Sequence, residues 1–458
     1  MRLSLLLAAS MLAAPAFALA QGNGGGNNGL GGVLIDPSGA LTARDDKTLG
    51  TKLDKERQAA FAADNLPADL NADSDARKVS LRKLEAALAA AAAAGEEPDE
   101  AMRFLAGLTR IDAVLVQPGT AEEPGDVVLV GPAGGFGPDA LGRMISTAEG
   151  EHGGRPVLHL FDLLAALRGG EASRGGAIGC SIDPVPERQA ALARATANLG
   201  PVRSVSQAAS VYRKLAEILG DQTIRIYGVP AGSHFGVTLA EADYRMKLVS
   251  LGLEPSGVRG LPSHLALIGP GANSAQRFFI VADYEPVGVN ADRTAFALRG
   301  QRLRMLTEDE VIAADGSRRD AGQQGRSNVA WANRFTEQVP DLAAERPIFA
   351  QLQNLYDLAV TAELLRAERL TEKAGWTPGL LLDEAALPVP VGPAPKTVPT
   401  AFNTKSTGRT VVGLISGGVS IRAADALREA GQAPDASGEL ERARADAFAA
   451  AGERWWWD

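Results

Sequence analysis

The sequence has little of the chemistry that marks the familiar enzyme classes. Its 458 residues include one cysteine and four histidines, and only 5% of them are aromatic. A single cysteine excludes an intrachain disulfide, and neither HExxH nor paired cysteines with zinc-ligand spacing occur. Lysine and arginine form no run and the net charge is −9, so a nucleic-acid partner is not expected.

Nucleotide-binding and acyl-transfer motifs are also missing. GPAGGFG, residues 131–137, lacks the Rossmann spacing, and the P-loop motif is absent, so a glycine-rich turn between strands is predicted. Cys180 lies between isoleucines and is predicted to be a small core residue rather than a nucleophile. Ser80 and Lys83 match Ser-x-x-Lys, but Ser80 stands where an alanine-rich helix needs its N-cap. The motifs thus assign no catalytic, cofactor-binding or metal-ligating residue and indicate no cofactor.

The N-terminus indicates export. Arg2, an apolar run from Leu3 to about Ala14 and small residues before Gln21 are typical of a cleaved signal peptide over residues 1–20. Later apolar runs are too short for a transmembrane segment, so the mature protein is expected in the periplasm or outside the cell.

The segmentation predicted for the rest of the chain follows its changes of composition. The segments are a flexible Gly/Asn-rich leader (21–32), an N-terminal helical hairpin region (33–108), an α/β domain (109–270), antiparallel strands plus helices (271–376), a Pro-rich linker (377–400), and a C-terminal hairpin with an Ala-rich helix (401–458). For the final Trp455–Trp457, docking on the body, contact with an envelope partner and a disordered end stay alternatives.

Alternation of short β-rich runs with amphipathic helices predicts a mixed α/β fold, in which a layered strand–helix domain, an antiparallel segment, a helical segment and a small C-terminal module follow one another. Strands are predicted at 113–116, 127–130, 156–160, 177–182, 223–227 and 265–268, and helices at 162–168, 187–199 and 206–219. Residues 277–312 are predicted to form antiparallel strands joined by a turn at 290–292 and closed by a helix with a Thr307–Glu310 capping box. Helices are predicted from Ser327 onward.

The stretch SHFGVTLAEADYRMKLVSLGLEP, residues 233–255, concentrates ionisable side chains. It is predicted to form a helix capped by Thr238, with surface ion pairs Glu241–Arg245 and Asp243–Lys247. His234 precedes that helix in the loop after a strand, where α/β proteins often place ligands. It is therefore a candidate site residue, although a loop histidine bonded to backbone is the more common case.

No spacing among His152, His159, His234 and His264 indicates a metal site, so whether they meet in space stays open. Asp183 follows the predicted strand at 177–182 and is the acidic residue that could join them.

Several strings resemble one family: GDVVLVGP, GRPVLHLFDLLAALR, ADYRMKLVSLGLEP, FFIVADYEPVGVNADRTAFALRGQRLRMLTEDE and WANRFTEQVPDLAAERPIFAQLQNLYDLAV. They are similar to a family of secreted bacterial proteins defined as a domain of unknown function, over about residues 77–366. The resemblance implies an exported bacterial protein and no particular reaction.

The leading hypothesis from sequence is a non-catalytic binding or structural component of the cell envelope. The alternative is a hydrolase of unrecognised type with its site near residues 228–235. The sequence leaves open whether the protein is an enzyme.

Overall fold

The computed structural model describes residues 32–44, 51–120, 124–172, 176–199, 204–268, 275–312, 318–320, 325–406, 410–449 and 456–458. The strands are β1 Val33–Ile35, β2 Leu41–Ala43, β3 Ser74–Ser80, β4 Ala113–Gln117, β5 Asp126–Ala133, β6 Phe136–Pro138, β7 Met144–Ser146, β8 Ala177–Asp183, β9 Gln222–Tyr227, β10 Ala275–Asp283, β11 Val287–Val289, β12 Ala295–Ala297, β13 Arg302–Ile312, β14 Arg318–Asp320, β15 Thr397–Val398, β16 Asn403–Ser406, β17 Thr410–Arg422 and β18 Gln432–Pro434. The helices are α1 Thr51–Asn65, α2 Leu81–Ala94, α3 Glu100–Arg103, α4 Leu160–Ala172, α5 Pro186–Ala197, α6 Val205–Leu219, α7 His234–Leu251, α8 His264–Leu267, α9 Arg326–Glu337, α10 Val339–Glu345, α11 Pro347–Ala367, α12 Leu370–Lys373, α13 Ala423–Ala430 and α14 Glu439–Ala449.

This mixture of helices and open sheets confirms the predicted mixed α/β class. The predicted signal peptide and all of the leader except Gly32 lie outside the described residues. Along the described ranges, no helix has the length and apolarity that crossing a bilayer requires.

An eight-stranded sheet runs in the order β14-β13-β10-β17-β8-β9-β15, with β16 paired to β17. Strand β17 pairs in parallel with β10 and antiparallel with β8, so a C-terminal segment completes the middle of the sheet. The glycines of this strand permit a close approach, since a Cβ on Gly417 would lie 1.8 Å from the carbonyl oxygen of Phe278. The predicted C-terminal hairpin is confirmed by the pairing of β16 with β17.

A six-stranded sheet runs in the order β18-β11-β12-β4-β5-β3. The C-terminus docks on its outer strand, β3: the Ser80 amide donates to the Trp456 carbonyl at 2.6 Å, and the Asp458 amide donates to Lys78 at 3.1 Å. Trp456 is buried, and the Arg77 guanidinium lies 5.3 Å from the Trp457 ring. The tail therefore contacts the body of its own chain, which is one of the predicted alternatives.

Helix α11 is buried around most of its circumference and joins the two sheets. Its Asp357 carboxylate accepts hydrogen bonds from Arg302 Nε at 2.9 Å, Tyr284 Oη at 2.8 Å and the Ile111 amide at 3.1 Å. Arg302 begins a strand of the eight-stranded sheet, and Ile111 precedes β4 of the other sheet. A buried carboxylate with three donors is satisfied internally, so we interpret Asp357 as a structural residue.

Three secondary-structure predictions are wrong. Residues 156–160 run irregularly up to the start of α4, because their backbone makes isolated hydrogen bonds instead of a ladder. Residues 265–268 form most of the short helix α8, which Ser263 caps through the Ala266 amide. The capping-box residues Thr307 and Glu310 lie in β13, where Thr307 pairs with β10 and Glu310 with β14, and this pairing outweighs the local helix signal. The predicted strands near 113–116, 127–130, 177–182 and 223–227, the turn at 290–292 and the helices predicted at 162–168, 187–199, 206–219 and from Ser327 onward are confirmed.

The Pro-rich segment lies against the fold, with turns over residues 379–387 and extended backbone from residue 388 onward. The Gly392 amide donates to Gly232 at 2.8 Å, the Ile224 amide donates to Lys396 at 2.8 Å, and Thr397–Val398 pairs with β9. The segment thus forms the edge of the eight-stranded sheet. The predicted segment boundaries themselves stay predictions.

Candidate functional site

Two helices begin side by side at the candidate site. His159 lies directly before α4, and its carbonyl accepts from the Leu163 amide, while Asp162 lies in the first turn. His234 is the first residue of α7, because Ser233 caps the helix by accepting from the Gly236 amide at 3.1 Å. The predicted N-cap at Thr238 is therefore wrong: the N-cap is Ser233, five residues earlier, and Thr238 is buried inside the helix.

The three side chains are in direct contact. His234 Nδ1 lies 2.7 Å from Asp162 Oδ2, and the rings of His159 and His234 stack with centroids 3.9 Å apart at an interplanar angle of 11°. On the other face of His159, the Phe104 ring packs edge-on at 4.8 Å. From α11, the Gln351 amide nitrogen approaches His234 Nε2 to 3.3 Å.

The two histidines differ in their electrostatics. Burial, followed by the neighbouring His234, lowers the pKa of His159 to about 3, so this imidazole is neutral at physiological pH. Burial also lowers the pKa of His234, but the charge and hydrogen bond of Asp162 outweigh it and raise that pKa above its ordinary value. The Asp162 side chain is 4% exposed and the His234 side chain 21%, so solvent reaches the pair through the histidine.

This arrangement suits a metal ion. Within the described ranges, His159, Asp162 and His234 are the group whose ligand atoms come close enough to hold one, all within 4.8 Å of one another. In the same part of the chain, the buried Nε2 of His159 has no hydrogen-bond partner. Two imidazoles and a carboxylate form a ligand set typical of zinc and related divalent ions.

The other candidate histidines and Asp183 lie elsewhere. His264 is buried, with Nε2 2.7 Å from Asn328 Oδ1 and its ring against Phe278. His152 ends a short 3-10 turn, and Asp183 ends β8, where its charge acts on Asp243. Of the four histidines, His159 and His234 therefore come together, and the third member of their cluster is Asp162.

The remaining candidate nucleophiles are structural. Cys180 is 1% exposed, and burial raises the pKa of its thiol well above the ordinary value, which confirms its interpretation as a core residue. Ser80 caps α2 by accepting from the Lys83 amide at 3.0 Å and donates to Asp126 at 2.6 Å, which confirms the N-cap. The glycines of residues 131–137 lie at the end of β5, in the turn after it and at the start of β6, as predicted.

The ion pairs of α7 are present but buried. Lys247 Nζ lies 2.9 Å from Asp243 and donates to the Ile182 carbonyl at 3.1 Å, while Arg245 Nε lies 3.8 Å from Glu241. All four charged residues are at most 2% exposed, so the predicted surface location is wrong. The physical reason is that α7 packs on β8 and β17 and also against α4 and α11, so it has no solvent face.

The Glu241 carboxylate also accepts from the Gly32 amide at 3.1 Å and from Arg143 Nη2 at 3.1 Å. Arg245 Nη2 donates to the Gly32 carbonyl at 2.8 Å, so the two charges hold the backbone that leads into β1.

Residues 180–264 match the model of a family described as protein of unknown function (DUF1598). No curated protein and no solved structure matches the chain. The expected resemblance to a family of unknown function is confirmed, over a narrower range than 77–366. The matched segment includes His234 and all of α7, whereas His159 and Asp162 precede it.

Motif spacing missed Asp162 and Gln351. Asp162 was interpreted as the beginning of a helix, and its position three residues after His159, on one face of the first turn of α4, is the signal that pairs them. Gln351 approaches the site only through the packing of α11 beside α7, which no local pattern indicates.

Proposed function

We propose that the protein is an exported binding protein for a divalent transition-metal ion of the zinc class, held by His159, Asp162 and His234. The observation that carries the proposal is the approach of these three ligand atoms to within 4.8 Å of one another. The buried Nε2 of His159, without a hydrogen-bond partner among the described residues, supports it. A metal ion would satisfy this nitrogen, whose desolvation otherwise costs about 1–3 kcal/mol.

The ligand chemistry fits the proposal. The neutral imidazole of His159 is the form that binds a metal, and Asp162 supplies an oxygen ligand or orients His234 through Nδ1. Three protein ligands leave a coordination position open, as in sites that bind a further molecule at the metal. The Gln351 amide nitrogen lies 3.3 Å from His234 Nε2, so it is a polar neighbour of the ligand set.

Export remains part of the proposal. The basic and apolar N-terminus supports it, and the described helices include no membrane span. A metal-binding role keeps the protein among the binding components of the cell envelope. Fractionation of cells expressing the full chain, with N-terminal sequencing of the mature protein, tests this part; cytoplasmic protein that retains residues 1–20 contradicts it.

A hydrolase is the second candidate, because Asp162 accepts a hydrogen bond from His234 Nδ1 and so orients the imidazole as in acid–base pairs of hydrolytic enzymes. In this alternative, Asp162 holds Nδ1 and the opposite nitrogen, Nε2, exchanges a proton with the substrate or with water. The two candidates differ in one measurable respect, since the acid–base pair works without a metal ion.

Metal binding is tested on chelator-stripped protein by calorimetric titration with Zn²⁺ and by the visible spectrum of bound Co²⁺. We expect one ion per chain in the wild type and a loss of affinity of at least about 100-fold in His159→Gln and His234→Gln. His152→Gln is the matched control and should bind as the wild type does. Circular dichroism of each metal-free variant shows whether it folds.

Absence of saturable binding by the folded wild type, or equal affinity in folded His159→Gln, would overturn the metal proposal. Hydrolysis of activated ester or phosphoester substrates by the chelator-stripped wild type, lost in His234→Gln and Asp162→Asn, would establish the second candidate instead.

A further inference from the structure

A cavity of about 700 Å³ lies away from the histidines, where the later turns of α4 face α11, α13 and the loop Trp376–Leu382. Protein interiors are close-packed and leave few voids larger than a water molecule, so a space of this size requires a cause. Alanine provides it at five lining positions: Ala166, Ala359, Ala362, Ala423 and Ala424. The small side chains leave open a volume that lies within the range of small-molecule sites.

The walls are built without a ligand. Glu85 accepts from Trp376 Nε1 at 2.9 Å and from the amides of Gly379 and Leu381 at 2.7 and 3.0 Å. Arg168 donates to the carbonyl of Leu381 at 2.9 Å and to that of Leu387 at 2.8 Å. Two charged side chains thus hold the loop in place on opposite sides. Binding to a preformed cavity avoids the ordering cost of forming one.

The lining determines the class of ligand. The walls are mainly apolar: besides the alanines they include Leu81, Ile178, Leu365, Trp376, Leu381 and Ile421, while Arg168, Glu363, Arg366 and Thr371 contribute polar surface. Each charged group of the lining already has a partner: Arg168 donates to backbone carbonyls, and Glu363 forms an ion pair with Arg366 at the exposed rim. A charged ligand would have to break one of these contacts or remain unpaired, which costs free energy, whereas an uncharged ligand needs neither.

We propose that this cavity binds an uncharged, mainly apolar small molecule. Leu382, 48% exposed at the rim, extends the apolar surface to the entrance. The site is separate from the metal ligands, so it stands whether or not the metal proposal does.

The test uses the folded wild-type protein and two related fluorescent probes, uncharged N-phenylnaphthylamine and its anionic analogue anilinonaphthalene sulfonate. We expect saturable one-to-one binding of the uncharged probe and binding of the sulfonate weaker by more than about tenfold. Ala362→Phe, which fills the cavity, should abolish binding. Ala367→Phe is the matched control, because Ala367 lies on the same helix, is exposed and does not line the cavity.

Leu382→Glu tests the site without placing a larger side chain inside the cavity, since it introduces a charge at the exposed rim. We expect it to weaken binding of the uncharged probe by at least about tenfold. Unchanged affinity in both folded Ala362→Phe and Leu382→Glu would overturn the location of the site. No saturable binding by the wild type would overturn the site itself, and equal affinity for both probes would overturn the assignment to an uncharged ligand.

Discussion

The buried pair Asp243–Lys247 allows a quantitative prediction, because both side chains are at most 2% exposed and contact each other at 2.9 Å. Lys247→Met leaves the Asp243 carboxylate buried without its cation, and Asp243→Leu leaves the ammonium without its anion. Removing one partner of a buried pair costs about 3–5 kcal/mol. If the effects were independent, the double variant would lose about 6–10 kcal/mol, the sum of the two.

We expect the double variant to lose far less. Replacing both charged side chains with apolar ones removes the cost of desolvating the charges. What remains is the loss of the hydrogen bond from Lys247 Nζ to the Ile182 carbonyl at 3.1 Å, which leaves that carbonyl unsatisfied and costs about 1–3 kcal/mol. The difference corresponds to a coupling free energy of at least about 3 kcal/mol. Urea denaturation of the four proteins at about pH 8.5, above the folded-state pKa of about 7 of Asp243, keeps the wild-type carboxylate charged. Circular dichroism then measures each free energy of unfolding.

The matched control is the exposed pair Arg304–Glu429, at 3.0 Å with side chains 38% and 58% exposed. Its double-mutant cycle should give a coupling below about 1 kcal/mol. Additivity of Asp243→Leu and Lys247→Met within about 0.5 kcal/mol would refute the burial of the pair and the packing of α7 that imposes it.

Two further predictions concern stability. Trp456→Ala should lower the free energy of unfolding by about 3–5 kcal/mol, because it removes a buried indole. Trp457 is half-buried, so Trp457→Ala should lower the free energy of unfolding by less. Equal urea midpoints for the two variants would contradict the docked tail. Burial raises the pKa of Asp243 from 3.8 to about 7, so its contribution to stability is present below about pH 4 and is lost as the pH rises through about 7. Measured from pH 5 to 8, the stability of the wild type relative to Asp243→Asn should therefore fall with rising pH, and a rise would show that the folded-state pKa is not raised.

Local signals predicted the fold class and most elements. Two examples are the N-cap Ser80 before LRKLEAALAAAAAAG and the apolar periodicity of α11. Both depend on residues close together in the sequence, so the sequence alone predicts them. Residues 302–312 show the limit of local signals: a capping box favours a helix there, but pairing with β10 and β14 makes the segment a strand. The burial of α7 was equally unpredictable, because its alternating charges look like a solvated face until both neighbouring layers are known.

The candidate site was only half predictable. His234 was singled out by its position after β9, whereas its partners come from α4, more than 70 residues earlier. Neither Asp162 nor His159 belongs to a recognisable ligand motif with it, since the site depends on two helices beginning side by side. Sequence patterns show spacing along the chain, whereas the residues of this site are far apart in sequence and close together only in the folded structure.

The position of β17 affects how the chain folds during synthesis. This strand lies between β10 and β8, so the eight-stranded sheet remains in two parts until residues 410–422 are available, and the final residues then cover β3. Contacts of such long sequence separation form slowly. Folding on the ribosome therefore cannot complete the eight-stranded sheet before residues 410–422 have been synthesised, and the unpaired edges of β8 and β10 stay exposed until then.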